Sequence, residues 1–218
     1  MTNALKIDFV SDIVCPWCAI GLAGLNTALD RLGPATRIDL TIHPFELNPG
    51  LSAAGQVHLE LITEKYNITA DQARVNREQI RARAATVGFT MNRDDASRVY
   101  NTFDAHRLLS WAKEKNVQAA LKLVLLKAYF TDGKNIADRE VLAELAQQVG
   151  LDGAEASDIL ASDRFAQQVK EEEALWAQRG ISSVPAVVVN DRYLISGGQP
   201  PEVFEEQLRA ILAGDARQ

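Results

Sequence analysis

The two cysteines of the chain, Cys15 and Cys18, lie three residues apart in the segment Cys-Pro-Trp-Cys. A thiol in the first turn of a helix meets unpaired backbone N–H groups and the positive end of the helix dipole, and both favour the thiolate. This spacing puts Cys18 one turn later on the same side, where it can attack a mixed disulfide at the first sulfur. We therefore expect Cys15 to be the nucleophile and Cys18 the resolving cysteine.

The two residues between the cysteines are expected to shape the reaction. Pro16 fits the first position of a helix, because its missing N–H would have no partner there, and it stiffens the ring that a disulfide would close. Trp17 offers a substrate an apolar surface beside the sulfur without adding charge. Since the motif holds no basic residue to stabilise a thiolate, the pair is not expected to be among the strongest oxidants.

The dipeptide Val184-Pro185 at the start of a predicted strand is the second notable feature. Proline is unexpected in a central strand unless its missing N–H is tolerated, and a cis bond before it would form a tight turn facing the cysteines. The sequence does not reveal the isomer, and an ordinary proline at the start of a strand is the alternative. With a cis bond, the backbone of Val184 could pair with an extended substrate chain.

Three groups are candidates for moving the proton of the resolving thiol. Asp8 and Asp12 flank the end of the first predicted strand, and either carboxylate could accept the proton of Cys18. A turn-forming or capping role is the alternative, and it is favoured for Asp12. His106 lies on the apolar side of its predicted helix, so a hydrogen-bonded core histidine is the default and proton transfer the alternative. The glutamates at 171–173 are expected to form a solvated helix face.

A zinc site is the alternative use of the cysteine pair. Two further ligands would have to come from His43, His58 and His106. These histidines lack the close spacing of a zinc-binding pair, and a single Cys-x-x-Cys specifies such a site only weakly. We therefore expect no bound metal.

The surrounding sequence predicts an α/β protein that opens with a strand–helix–strand unit, a unit typical of a mainly parallel sheet. Alternating apolar and polar residues predict strands, and helical spacing that begins at Pro16 and stops before Gly33-Pro34 predicts a helix. A turn at Asn190-Asp191 predicts a hairpin near the end of the chain. The predicted strands are 5–10, 37–43, 184–189 and 192–196, and the flanking helices are 16–32 and 201–212.

The middle of the chain, from about 57 to 179, has helical spacing almost throughout and no convincing strand. The apolar run 121–126 is expected to be a core helix, and only the last four residues are expected to fray. Helices are predicted at 57–66, 70–87, 95–115, 118–130, 138–149, 155–161 and 164–179. The predicted domains are a discontinuous one, 1–52 with 178–218, and a helical insertion, 53–177.

Charge and hydropathy exclude several classes of partner. The formal net charge of −6 argues against nucleic acid, since such binding depends on Lys and Arg neutralising phosphates. No apolar run approaches the roughly 20 residues that a membrane-spanning helix needs, so no membrane partner is expected. The first residues lack the apolar core of a signal peptide, which predicts a cytoplasmic protein. Thiols are kept reduced there, and a lone close pair is more often catalytic than a structural disulfide.

These motifs together resemble the DsbA-like branch of the thioredoxin superfamily, in particular FrnE-type proteins, which are similar to 2-hydroxychromene-2-carboxylate isomerases. The resemblance implies a thioredoxin fold interrupted by a large all-helical insertion domain, with Cys15 nucleophilic, Cys18 resolving and Val184-Pro185 as the cis-proline loop. The related isomerases and kappa-type glutathione transferases carry serine at the nucleophile position and bind glutathione. Retention of both cysteines favours dithiol exchange. The matching residues are 11–18, 43–49, 101–108, 129–130, 184–185 and 196–201.

The predicted function is a thiol:disulfide oxidoreductase of the DsbA/FrnE type, a protein disulfide oxidoreductase or isomerase, acting on a protein or glutathione thiol or disulfide. A glutathione-dependent isomerase or transferase for an aromatic or polyketide-like molecule is the alternative, with the helical domain lining an apolar pocket. A redox-inactive binding module is a third interpretation. No bound cofactor is expected, and glutathione is a candidate co-substrate. The direction of exchange and the oligomeric state, monomer or homodimer, remain open.

Overall fold

The computed structural model describes residues 4–214, so the predicted fraying at 215–218 lies outside the described residues. The chain begins with the predicted strand–helix–strand unit: β1 (Ala4–Ser11), α1 (Pro16–Leu32) and β2 (Arg37–Pro44). Strands β1 and β2 pair in parallel. Helix α1 has proline at its first position and ends at Gly33, whose positive φ of 77° suits a residue without a side chain. The predicted bounds of the helix are confirmed.

The last part of the chain completes the sheet with β5 (Ala186–Val189) and β6 (Tyr193–Ser196), followed by α9 (Pro201–Ala213). The strand order is β2-β1-β5-β6, and β5 runs antiparallel to both of its neighbours. Asn190 and Asp191 both have positive φ, as the two central residues of a type I′ hairpin turn require. The predicted hairpin is therefore confirmed, and β1 lies in the centre of the sheet between β2 and β5.

Seven helices and two very short strands separate β2 from β5. The predicted absence of strands here is wrong, because β3 (Gln56–Val57) pairs with β4 (Arg98–Val99). The helix predicted at 95–115 begins only at Phe103, since the Arg98 carbonyl oxygen accepts hydrogen bonds from the Arg93 and Tyr129 side chains. The helices are α2 (His58–Tyr66), α3 (Ala70–Ala85), α4 (Phe103–Glu114), α5 (Gln118–Phe130), α6 (Arg139–Gln147), α7 (Gly153–Ala161) and α8 (Ala166–Gln178).

The core runs continuously from the sheet into the helical segment. Buried Phe9 of β1, Ile20 of α1, Leu108 of α4 and Leu125 of α5 belong to one apolar cluster. This arrangement is a thioredoxin-like α/β fold with an inserted set of helices, as predicted. The exact limits of two domains stay a prediction, because one core serves both parts. In the part of the chain that the structure describes, no helix combines the length and apolar character needed to cross a bilayer.

The loop between β6 and α9 lies directly against the first turns of α1. A Cβ atom at Gly198 would stand 2.7 Å from the carbonyl oxygen of Trp17, and one at Gly21 would stand 3.1 Å from Cγ of Pro185. Both distances are shorter than ordinary van der Waals contact. Glycine at these positions therefore lets the start of α1 approach the backbone before β5 and after β6.

Helix α8 is attached to the sheet by a partly buried ionic cluster around His43 of β2. The ring donates through Nε2 to Asp8 Oδ1 at 2.8 Å and through Nδ1 to Glu172 Oε2 at 3.0 Å. It also packs on Trp176, with 4.8 Å between the ring centroids. Burial would lower the pKa of His43, but the hydrogen bonds and charges of the two carboxylates outweigh it and raise the pKa.

The expected solvated face at 171–173 is therefore wrong for two of its three residues. Glu172 is bonded to His43, and Glu173 has a buried Oε1 atom without a hydrogen-bond partner. Only Glu171 is exposed. A run of three glutamates gives no sequence signal for burial, because His43, the partner of Glu172, and Glu46, whose backbone acts on Glu173, come from distant parts of the chain.

Substituting His43→Asn should lower stability more in acid than in alkali. A raised native pKa means that the stabilisation is fully present below the ordinary histidine pKa and is lost as pH rises through the native value. We expect a loss of about 2 kcal/mol near pH 6 and a smaller loss near pH 9. Urea unfolding of the wild-type and His43→Asn proteins at the two pH values measures this difference in the free energy of unfolding. His58→Asn is the control, since burial and then the charges of Arg93 and Arg77 lower the pKa of His58 to about 4.

Substituting Gly198→Ala should destabilise the fold by about 1–3 kcal/mol, the usual cost of overpacking, because the new methyl group meets a backbone carbonyl. Gly50→Ala is the matched control, since a Cβ there meets no atom within 4 Å. Equilibrium urea unfolding measures both free energies. Equal stability of the two variants would contradict the close approach at Gly198.

Candidate active site

Cys15 and Cys18 lie where the sequence predicts, at the start of α1. Cys15 is the N-cap residue, with extended φ and ψ of −88° and 114°, and Pro16 follows at the first helical position. The backbone N–H groups of Cys18 and Ala19 donate to the Cys15 carbonyl oxygen at 3.1 and 3.3 Å. Both thiols are free and buried, with 3% of Cys15 and none of Cys18 exposed.

The loop before β5 lies against the first cysteine. The Val184–Pro185 peptide bond is cis, and Sγ of Cys15 lies 3.7 Å from the carbonyl oxygen of Val184. Trp17 is 41% exposed beside this pair, so an apolar surface adjoins the sulfur. The structure thus brings together the five residues predicted for chemistry and substrate contact at two distant points of the chain, Cys15, Pro16, Trp17, Val184 and Pro185.

Cys18 lies in an environment that opposes its ionisation. Burial, followed by the hydrogen bond and charge of Cys15, raises the pKa of the Cys18 thiol well above its ordinary value. Lys122 acts in the opposite direction. The second thiol therefore needs a compensating partner before it can attack a disulfide.

Asp12 and His106 form a fully buried pair beneath the cysteines. Asp12 accepts hydrogen bonds from the backbone N–H groups of Ile13 at 2.7 Å and Leu47 at 2.8 Å, and His106 Nε2 lies 3.4 Å from its Oδ1. Burial would raise the pKa of Asp12, but the hydrogen bonds from His106 and Leu47 outweigh it, so the pKa is lowered. Burial lowers the pKa of His106 more than Asp12 raises it, which favours an uncharged ring.

The third candidate for proton transfer, Asp8, lies in a different cluster. Its Oδ1 is bonded to His43, and its Oδ2 lies 3.3 Å from Nζ of Lys6. Burial would raise the pKa of Asp8, but the hydrogen bond and charge of His43 and the charge of Lys6 outweigh it and lower the pKa. The structure therefore places Asp12, whose backbone acts on Cys18, next to His106, and assigns Asp8 to the attachment of α8.

Two further ionisable residues near the site were missed by the sequence analysis. Lys122 of α5 is completely buried, whereas Leu123, predicted for the core, is 38% exposed. Burial, then the charges of Glu173 and Asp12, raises the pKa of Glu46 to about 7. One sequence signal could have predicted the burial of Lys122. It lies inside the apolar run 121–126, three and four residues before Leu125 and Leu126, and so on the same face of the helix as these buried leucines.

The three histidines that a zinc site would have needed lie in separate surroundings. His43 is bonded to Asp8 and Glu172, and His106 lies next to Asp12. His58 has two arginines, Arg77 and Arg93, as the charged groups that act on it. Within residues 4–214, no three or more His, Cys, Asp or Glu side chains are grouped so that they could hold a metal ion.

The arrangement provides the parts of a thiol exchange site. One sulfur lies at the positive end of a helix and beside an apolar surface, and a second lies one turn deeper. The charge of Lys122 and the backbone of Asp12 act on the deeper thiol. Its proton must be removed before it can attack a disulfide.

Comparison with known proteins agrees with this geometry. The family model described as DSBA-like thioredoxin domain matches residues 6–209. A crystal structure of a probable DsbA oxidoreductase from Streptomyces coelicolor superposes with a TM-score of 0.90 at 34% identity, covering 98% of this chain and 92% of that chain. YwbO of Bacillus subtilis (strain 168), an uncharacterized protein, is 28% identical over 211 residues, which are 95% of this chain and 96% of YwbO.

More distant structures share the fold. The cytosolic disulfide reductase DsbM from Pseudomonas aeruginosa, solved with GSH, has a TM-score of 0.67 at 18% identity, covering 95% of this chain and 99% of that chain. The family match spans nearly all of the sheet, the inserted helices and both cysteines. The chain therefore belongs to the DSBA-like thioredoxin domain family, whose members include thiol oxidoreductases.

Proposed function

We propose that this protein is a thiol:disulfide oxidoreductase that works through the Cys15–Cys18 dithiol and disulfide. The observation that carries the proposal is the position of Cys15 at the start of α1, with its sulfur 3.7 Å from the Val184 carbonyl oxygen and Cys18 one turn deeper. A sulfur held there lies at the positive end of the helix and beside the backbone that can hold a substrate.

In the proposed reaction, the Cys15 thiolate attacks one sulfur of a substrate disulfide. A Cys15–substrate disulfide forms, the substrate S–S bond breaks, and the first substrate sulfur leaves as a thiolate that takes up a proton from solvent. Cys18 then gives up its proton and attacks the sulfur of Cys15, which forms the Cys15–Cys18 disulfide and releases the second thiol. Two electrons and the proton of Cys18 leave the protein, solvent supplies the second proton, and the reverse sequence oxidises a dithiol.

The substrate is proposed to lie across the cis-proline loop and Trp17. An extended peptide can pair with the backbone of Val184 by strand addition, and Trp17 can cover its apolar atoms. A protein disulfide or glutathione fits this description. Glutathione is included because DsbM, a structural relative described as a cytosolic disulfide reductase, was solved with GSH. The same description supports our assignment of the reaction to the cytoplasm.

The buried pair beneath the cysteines is proposed to support this chemistry in different ways. The two carboxylate oxygens of Asp12 accept hydrogen bonds from the backbone N–H groups of Ile13 and Leu47. These bonds favour the turn-forming role expected for Asp12. His106 is held next to this carboxylate as an uncharged ring that is available for proton movement. Asp8 is not assigned a part, because His43 and Lys6 occupy its oxygens.

Substituting either cysteine should stop turnover, each at a different step. Wild-type protein is expected to reduce insulin disulfides and to exchange with oxidised glutathione. Cys15→Ser should reduce both activities to background, because it removes the nucleophile. Cys18→Ser should accumulate a mixed disulfide at Cys15, because the resolving thiol is absent. Insulin turbidity and intact-mass measurement after rapid acid quenching detect these outcomes, with the double serine variant as the control for non-specific reaction.

A different result would favour the glutathione-dependent isomerase or transferase. Under that alternative, the wild-type protein lacks exchange activity and Cys15→Ser keeps both tight glutathione binding and turnover of a chromene substrate. The absence of exchange together with the absence of glutathione binding would instead favour a redox-inactive binding module.

A further inference from the structure

His43 has a carboxylate oxygen opposite each of its two ring nitrogens. Nε2 lies 2.8 Å from Asp8 Oδ1 on β1, and Nδ1 lies 3.0 Å from Glu172 Oε2 on α8. An ionised carboxylate accepts hydrogen bonds and cannot donate them, so both contacts are hydrogen bonds only when the ring carries two protons. A neutral imidazole has one N–H group. Loss of a proton from His43 must therefore end one of the two bonds.

The bond to Glu172 is the one expected to break when the ring becomes neutral. The side chain of Asp8 is 5% exposed, whereas that of Glu172 is 21% exposed. An acceptor without a partner costs more free energy where water cannot reach it, so the remaining N–H group should stay on Asp8. Glu172 can turn towards water instead. Deprotonation of His43 thus leaves the ring bonded to β1 and releases α8.

The bond to Glu172 is also the one side-chain hydrogen bond of residues 4–214 that joins α8 to a strand of the sheet. The other oxygen of Glu172, Oε1, accepts from Nε2 of Gln168 on the same helix at 3.2 Å. From α5, which packs against β2, the uncharged Gln118 bonds to the backbone of this strand. The further charged groups around the cluster are Lys6 next to Asp8, Asp191 next to Lys6, Arg179 next to Asp191, and Lys113 of α4.

Helix α8 carries the apolar support of the loop that lies against Cys15. Trp176 of α8 packs on the ring of His43, and it shares a small apolar cluster with Ile181, against which Val184 packs. The backbone N–H group of Ile181 donates to the Trp176 carbonyl oxygen at 3.0 Å. The carbonyl oxygen of Val184 lies 3.7 Å from Sγ of Cys15. A displacement of this end of α8 would therefore move the backbone next to the nucleophile.

We propose that His43 is a positioning residue for substrate binding: its charged ring holds α8 on the sheet, and α8 in turn holds Val184 next to Cys15. The proposal rests on the proposed function and deepens it, because it makes the preference for peptide disulfides depend on the protonation of His43. A substrate that pairs with the backbone of Val184 should need this attachment. A small disulfide that only meets the sulfur of Cys15 should not.

The direction of the pH dependence follows from the same contacts. Burial acts to lower the pKa of His43, but the hydrogen bonds and charges of Asp8 and Glu172 outweigh it and raise the pKa. The charged ring therefore persists above the ordinary histidine pKa of about 6.5 and is lost as the pH rises through the raised value. We expect the preference for peptide disulfides to be highest at low pH and to fall in alkali.

The test compares a peptide disulfide with a disulfide that has no peptide backbone. Reduced wild-type, Glu172→Gln and Glu171→Gln proteins are mixed with each disulfide between about pH 5.5 and 9.5, a range that begins below the ordinary histidine pKa. The peptide is short, capped at both ends and free of titrating groups, with one central cysteine oxidised to the symmetric disulfide, and the comparison compound is bis(2-hydroxyethyl) disulfide. Acid-quenched samples analysed by mass give the second-order rate constants. Their ratio cancels the ionisation of Cys15, because the same sulfur attacks both disulfides.

In the wild-type protein, the ratio of the peptide to the non-peptide rate constant should fall about 3–10-fold with rising pH, the effect of weakening one hydrogen bond to the substrate. Glu172→Gln should make the ratio independent of pH, because an amide can accept from the charged ring or donate to the neutral one. Glu171→Gln is the matched control, since Glu171 is exposed and bonded to Gln167 on its own helix, and it should match wild type. A pH-independent ratio in the wild-type protein, or an undiminished fall in Glu172→Gln, would overturn the proposal.

A second measurement uses the wild-type chain, in case Glu172→Gln does not fold. Amide hydrogen exchange of the segments 176–184 and 4–11 is followed by mass at about pH 6 and about pH 9, on either side of the ordinary histidine pKa, and corrected for the intrinsic exchange rate. The proposal predicts that only the segment 176–184 loses protection at the higher pH. Equal protection of this segment at both pH values, or equal loss in both segments, would overturn it. Absence of reaction with both disulfides would instead contradict the proposed function itself.

Discussion

The contact between the first turn of α1 and the loop that precedes β5 is the constraint on which the rest of the structure depends. It sets the sulfur of Cys15 against the carbonyl oxygen of Val184, although the two residues belong to opposite ends of the chain. The sheet makes this possible because β1, which leads into α1, pairs directly with β5. Glycines at 21 and 198 allow the backbones to approach closely enough for the two segments to form one surface.

Several ionisable side chains are buried near the cysteines, and the free-energy cost of burying them must be offset by hydrogen bonds and opposite charges. Asp12, His106, Lys122 and the Cys18 thiol are all fully or almost fully buried. An isolated charge in such a place would be strongly destabilising, so each group depends on its neighbours and on backbone N–H donors. Removing one side chain would leave its neighbours with fewer partners, although Asp12 keeps the backbone N–H groups of Ile13 and Leu47. The buried cluster therefore places ionisable groups where packing alone would favour apolar side chains.

The inserted helices contribute to the site as well as covering it. Helix α4 brings His106 to Asp12, and α5 brings Lys122 to the end of β1. Helix α8 is fixed to the sheet by His43 between Asp8 and Glu172, which in turn places Glu173 near Glu46. Since one apolar core includes both the sheet and the insertion, a change in the position of these helices would change the surroundings of the buried thiol.

The sequence by itself determined the local elements and the thiol pair. Alternating residues in β1 and β2, proline after Cys15 and a turn at Asn190-Asp191 act over a few residues, so their structural outcome could be predicted. The partners of Asp8, the burial of Glu173 and the inward direction of Lys122 were decided only by the tertiary structure. Which helix face becomes buried, and which charge then finds a partner, depends on segments that are remote in sequence and meet only when the chain packs.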